Sequence, residues 1–416
     1  MKAAIPLHTL SPREIPEDVY QDILSHLDKP SIATCTLLCR HWNVAARQEL
    51  FREIQLHCYK ETKGLPAFLA FIASLQTQAA TNNIKTLFVL GRPAHEGGKG
   101  VAKMTAHEIH RLLIHLPALQ KLTLFRVLLR GTPEPPLPMA SLLELRMVLS
   151  SFFVPRWLDI PEEMLRQSTE NFSCGLIDLL NMFSHIGTLA VDSVYVQWDI
   201  ESEIVSTIGH SPPSALMNAL GRKLSSSLHP DKLVACTGQQ QGWTSFCPCG
   251  DLEILELLSA LNPFKEVHLE GPTTFTNPFL SNWGPDIQRL TVRIDDMFYK
   301  DGRLPVFDVG NCTKLASLRV TVPDLWSDNG ALAVVNTFVH CPYTTSHLTL
   351  EFTPYPWMCW HFRSNAMDWN ALDDGLCARE GLIGFNMIFP HDPFHPQPHY
   401  LDWIAKMPTR LPKLHA

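Results

Sequence analysis

From residue 84 onward, apolar residues recur in threes at i, i+3 and i+5. Ile84, Leu87 and Val89 make the first set, and Leu119, Leu122 and Leu124, with Leu129 beyond, make the clearest (LQKLTLFRVLL). Leu142, Leu145 and Met147 follow, then Ile186, Leu189 and Val191, then Phe264, Val267 and Leu269. Ile287, Leu290 and Val292 and then Leu315, Leu318 and Val320 continue the series, with weaker members in SHLTLEF from Ser346 and LIGFNMIF from Leu382. Alternation of this kind predicts a short strand with one buried face. Between the sets, GLPAFLAFIASLQTQ from Gly64 and MTAHEIHRLLIHL from Met104 carry helical spacing. Strand and helix alternate, which predicts a parallel sheet.

The three spaced positions are the opening of the leucine-rich-repeat strand pattern, L-x-x-L-x-L-x-x-N/C-x-L, and the region from residue 56 to 416 resembles such an array. In that architecture each unit buries its strand face against its neighbours, and a parallel sheet lines a curved solenoid. Two features depart from the pattern. The intervals are uneven, as from Leu122 to Leu145 against Leu145 to Leu189, and the inward Asn or Cys at the turn is replaced by Val127, Ser150, Asp295 and Pro323. The expectation is therefore an irregular solenoid with long inserts. Residues 197–230 and 236–250, rich in turn-forming and polar residues, are the two main inserts.

Upstream of the array the spacing changes. Residues 1–14 read as a leader, and residues 15–55 are helical in pattern. Pro16 suits a first helical turn, and Glu17 and Asp18 place negative charge at the positive end of the helix dipole. Val19, Ile23 and Leu27 form one apolar stripe, and Tyr20, Leu24 and Leu27 form a second beside it. Asp28-Lys29-Pro30 ends this helix and starts the next, where Ile32, Cys35, Cys39, Trp42 and Ala46 recur on one helical face. Leu37 and Leu38 lie off that line, and Leu50, Phe51 and Ile54 close the region. A unit of about 40 residues cannot bury two apolar faces alone. Either the downstream region or another protein must cover the second one.

The stretch IPEDVYQDILSHLDKPSIATCTLLCRHWNVAARQELFREIQL resembles the F-box. Ile15-Pro16 stands for the family's Leu-Pro, Val19, Ile23 and Leu27 fill the first-helix positions, Cys39-Arg40-His41-Trp42 is the second signature, and Leu50-Phe51 is the closing pair. Ile15 for Leu and Asp18 for the commoner Glu are its small departures. The resemblance implies a three-helix unit that docks on a Skp-type adaptor and so on a cullin–RING ligase core. It implies adaptor contacts at Ile15, Pro16, Ile23, Leu24 and Leu27, with Leu37 and Leu38 next, while Val19, Cys39 and Trp42 are partly or wholly internal. An F-box followed by an irregular leucine-rich array is a layout common among fungal proteins, in which the array recognises a protein substrate. The fold class expected is thus α/β: a three-helix F-box, then an irregular leucine-rich-repeat-like solenoid with parallel strands.

Composition narrows the alternatives. Apolar residues make up 45% and charged residues 18% of 416, a globular balance. The formal net charge of −7, with no basic block, argues against a general nucleic-acid or anionic-membrane binder. Pro6 and His8 interrupt any signal-peptide core, and no apolar run is long enough to span a membrane. The 11 scattered cysteines then read as reduced thiols of a cytoplasmic or nuclear protein.

The search for reaction chemistry yields little. GRPAHEGGKG at 91–100 has the wrong glycine-to-lysine spacing for a phosphate loop and lacks the following hydroxyl. Cys247-Pro-Cys249, with Cys236 and His229 upstream, is too tightly spaced for a zinc knuckle. His391, His395 and His399 are separated by prolines that forbid a common helical face. No metal or cofactor is expected. Trp357, Trp360, Trp369 and Trp403 crowd the last sixty residues, either as hot spots for a bound substrate or as a cap on the core. The leading expectation is a non-enzymatic substrate receptor of an SCF-type ubiquitin ligase. The alternatives are a non-ligase F-box scaffold and an enzyme with a helical appendage.

Overall fold

The computed structural model describes residues 16–58, 64–74, 78–91, 102–131, 141–153, 174–197, 217, 220–224, 228–236, 249–258, 260–261, 263–271, 273–294, 306–322, 328–353, 367–388 and 405–415. The chain opens with helices α1 (Glu17–Ser25), α2 (Lys29–Cys35) and α3 (Arg40–Arg52). It then enters a sheet of eleven parallel strands: β1 (Glu53–His57), β2 (Thr86–Leu90), β4 (Lys121–Phe125), β6 (Leu142–Val148), β8 (His185–Asp192), β10 (His229–Cys236), β11 (Glu266–Glu270), β12 (Arg289–Arg293), β13 (Ser317–Val322), β14 (His347–Phe352) and β15 (Gly384–Ile388). Their spatial order is their chain order, so each strand pairs only with the strands of this sheet that come before and after it in the chain. That is the expected solenoid-like arrangement, with helices between the strands.

The register explains the sequence pattern. Leu87, Leu122, Leu145, Leu189, Leu233, Val267, Leu290, Leu318 and Leu348 are successive partners across the sheet, all buried. Two residues further on, Val89, Leu124, Met147, Val191, Ala235, Leu269, Val292, Val320 and Leu350 form a second buried row. One continuous core runs beneath the sheet. The triad pattern does not predict β10, which lies between the two expected inserts. Pro230 takes its first inward position and Ala235 its third, leaving Leu233 as its one leucine.

A second parallel sheet, absent from the sequence expectation, joins β3 (Ala102–Thr105), β5 (Val127–Arg130), β7 (Ser151–Phe153) and β9 (Tyr195–Gln197). These strands follow β2, β4, β6 and β8, and the last three do so after a sharp corner. Arg126, Leu149 and Ser193 hold the corners with φ of 54°, 48° and 52°. A ladder of N–H···O bonds links the corners: Gly91 to Phe125 (2.7 Å), Arg126 to Val148 (2.9 Å), Leu149 to Asp192 (2.9 Å) and Ser193 to Cys236 (3.0 Å). At Gly91 a Cβ would stand 2.0 Å from the Arg126 carbonyl oxygen, so only glycine fits. Ser150 does the work of the missing inward Asn. Its buried hydroxyl accepts from the Val127 N–H (3.2 Å) and shares its proton between the carbonyls of Leu124 and Val148 (3.1 Å each).

Met104, expected to open a helix, belongs to β3 instead. The helix starts two residues later as Ala106–Ile114, because Thr105 and Glu108 form a reciprocal capping box. In the N-terminal unit, the single helical face expected from Ile32 to Ala46 is split between α2 and α3 by a turn at 36–38, and Cys39 is extended. No linker separates the helices from the sheet: α3 ends at Arg52 and β1 begins at Glu53, so the expected division at 55/56 falls inside a strand. Leu50 packs on a small core among the three helices, while its neighbour Phe51 packs on the core of the sheet.

Candidate functional site

The three N-terminal helices close on Tyr20, Leu24, Ile32, Ala45 and Ala46. The Tyr20 ring meets Trp42 edge-on, with centroids 4.8 Å apart and planes at 88°. Asp28 caps α2 through its Oδ1, which accepts from the Ser31 N–H at 3.0 Å. Hydrogen bonding from Ser31 holds the Asp28 carboxyl below its ordinary 3.8. Asn43 donates from Nδ2 to the Thr36 carbonyl at 2.7 Å and so ties the 36–38 turn to α3.

This small core is complete without the second apolar stripe. Pro16, Val19, Ile23 and Leu27 lie exposed along α1 and its ends. Beyond α2, Leu37 and Leu38 project into solvent at 83% and 63% exposure, and Val44 is also exposed. Backbone bonds from Leu37 to Thr34 (3.0 Å) and from Leu38 to Cys35 (3.2 Å) fix the turn that carries them. Among the described residues, nothing of the downstream array covers these side chains. Exposed apolar sets of this kind are where contacts with other proteins commonly form.

The structure sorts the expected adaptor residues. Pro16, Ile23, Leu27, Leu37 and Leu38 are at the surface. Leu24 is not: it is fully buried in the three-helix core, because the stripe that includes Tyr20 is the one that turns inward. Conversely, Val19 is 41% exposed, where an internal or part-internal place was expected. Ile15 lies outside the described residues.

The second candidate surface is the face of the large sheet opposite its core. Cross-strand ion pairs line it: Lys121–Glu144 (3.1 Å), Glu266 with both Lys232 (2.6 Å) and Arg289 (2.8 Å), Glu270–Arg293 (3.0 Å) and Glu351–Arg319 (2.7 Å). The Lys232 hydrogen bond, aided by the charges of Lys232 and Arg289, holds the Glu266 carboxyl below its ordinary 4.5. Half-buried Phe88, Leu90 and Phe125 stand on the same face near its N-terminal end. No spacing rule singles out this surface, because its residues are the variable positions between the leucines.

Of the aromatic candidates, Trp369 is buried, with the Arg410 guanidinium 5.5 Å from its ring centroid. It packs the C-terminal end of the core rather than facing a substrate. Trp357, Trp360 and Trp403 lie outside the described residues, as do Cys247, the GRPAHEGGKG loop beyond Gly91, and His391, His395 and His399. Among the described residues, no helix is long and apolar enough to cross a membrane.

Residues 13–57 match the family model described as F-box-like. No curated protein matches the chain.

Proposed function

We propose, from the premise that residues 13–57 form an F-box-like domain, that the chain is the substrate-receptor subunit of an SCF-type cullin–RING ubiquitin ligase. The F-box-like unit supports an adaptor-type role through Skp binding. The finer reading adds that the downstream array, of leucine-rich-repeat type, holds a protein substrate on its open sheet face. The observation that carries it is the row of exposed apolar side chains on α1 and the 36–38 turn, left over after the three-helix core is complete. In this role the chain performs no chemistry itself. It raises the effective concentration of a substrate beside the ubiquitin carrier, in the cytoplasm, the nucleus or both.

The test is co-purification with a Skp-type adaptor, comparing the wild-type chain with a Val19→Asp/Ile23→Asp variant of unchanged circular dichroism. Stoichiometric recovery that is lost in the variant supports docking through this face. Folded wild-type chain that captures no adaptor overturns it. Addition of the cullin–RING core and ubiquitin then separates a ligase receptor, whose captured partner becomes ubiquitinated, from a scaffold, whose partner does not.

A further inference from the structure

Adjacent strands β10 and β11 bring a thiol, an imidazole and a carboxylate together on the open face of the sheet. Cys236 and Glu270 are register partners, and His268 stands two residues before Glu270, hence on the same face. The Cys236 Sγ, a His268 ring nitrogen and a Glu270 carboxylate oxygen all lie within 4.8 Å of one another, each residue half-buried. We propose that these three groups form a binding site for a divalent transition-metal ion of the zinc type, with a fourth position open to solvent or to a bound partner.

The donor set selects the metal. A thiolate with an imidazole and a carboxylate suits zinc, whereas magnesium and calcium take oxygen ligands alone. Tetrahedral ligands at zinc bond lengths sit about 3.5 Å apart, so side-chain rotation closes the site without moving the strands. Lys232, Arg293, Arg319 and Arg146 repel any dication, so the bond to the thiolate has to outweigh that repulsion. Arg293 Nη1 holds Glu270 Oε1 at 3.0 Å, which fixes the direction of the carboxylate. Asp192, the register partner of Cys236 on β8, adds negative charge beside the thiol.

The protonation states are those of an unloaded site. Burial, followed by the charges of Lys232, Arg293 and Arg319, lowers the His268 imidazole to about 4, so at neutral pH its lone pair is free. Burial, followed by the charges of Glu270 and Asp192, pushes the Cys236 thiol far above its ordinary 9.0. On metal binding the S–H bond breaks, its proton leaves to solvent, and the sulfur electron pair forms the bond to the ion. Affinity therefore rises with pH. This inference does not depend on adaptor docking.

The experiment is titration of the chelator-treated full chain with Co²⁺, followed by displacement with Zn²⁺. A saturable thiolate-to-cobalt charge-transfer band, abolished by zinc and carried by Cys377→Ser (an exposed thiol elsewhere) but absent from Cys236→Ser, is the expected result. Zinc affinity should fall at least about 100-fold in Cys236→Ser, since loss of even an outer-shell partner costs up to about that much. His268→Gln, which keeps the thiol, should retain a weaker band. Folded wild-type chain that shows no band, or a band that survives Cys236→Ser, overturns the site.

Discussion

Leu37 and Leu38 offer a clean separation of docking from folding. In the free chain their side chains are 83% and 63% exposed on a turn held by its own backbone bonds. Replacing both with serine removes nothing from either core, so folding stability should change by less than about 0.5 kcal/mol. Docking is different. Covering a leucine side chain contributes about 1.5–3 kcal/mol. Scaled by the exposed fractions, the pair should supply about 2–4 kcal/mol, and Kd for a Skp-type adaptor should weaken by about 30- to 1000-fold. Leu24→Ala is the opposite case: its side chain is fully buried, and its loss should cost about 2–5 kcal/mol of folding stability. Calorimetric titration with the adaptor and urea unfolding of the full chain read the two quantities. A Leu37→Ser/Leu38→Ser chain that binds within about threefold of wild type, or that unfolds more than about 1 kcal/mol early, would refute the reasoning.

Three other outcomes follow from the array. Gly91→Ala forces a methyl against the Arg126 carbonyl, 2.0 Å from the Cβ position, and should lower the urea midpoint by the equivalent of about 1–3 kcal/mol; an unchanged midpoint would mean that the corner is not held as described. Ser150→Ala strands the buried Val127 N–H and should cost about 1–3 kcal/mol in the same assay, with a cost near zero showing that the hydroxyl is dispensable. The Glu266 carboxyl titrates below its ordinary 4.5 in the folded state, so its ion pairs stabilise fully above that value and their contribution is lost as the pH falls through the lower folded value. Glu266→Gln should therefore flatten stability against pH below about 4.5. Equal slopes for variant and wild type would show that the Lys232–Glu266–Arg289 group contributes nothing.

Much of the sheet was legible because burial on one face imposes its own period. Leu87, Leu122, Leu145 and Leu189, chosen by spacing alone, turn out to be direct register partners. β10 was not legible, since Pro230 and Ala235 fill inward positions that the pattern reserves for large aliphatic residues. The second sheet was hidden by its corners. Arg126, Leu149 and Ser193 adopt positive φ without the Gly, Asn or Asp that usually marks such a turn, and strands of three or four residues carry no period of their own. In the helical unit the existence of two apolar stripes was plain, but not which one faces inward. Tyr20 and Leu24 lie only one position round from Val19 and Ile23, and the Trp42 ring against Tyr20 settles the choice through contacts distant in sequence.

The passage of α3 into β1 without an intervening residue, with Leu50 and Phe51 rooted in adjacent cores, makes the helices the stub of a lever arm. In the proposed receptor role, whatever grips the helices would set the bearing of the array, and a substrate on the sheet would sweep no volume of its own. Where a flexible tether would dilute its cargo over every reachable distance, a join with no linker residues favours one heading. A few glycines inserted between Arg52 and Glu53 would therefore leave grip and cargo intact while letting the aim wander.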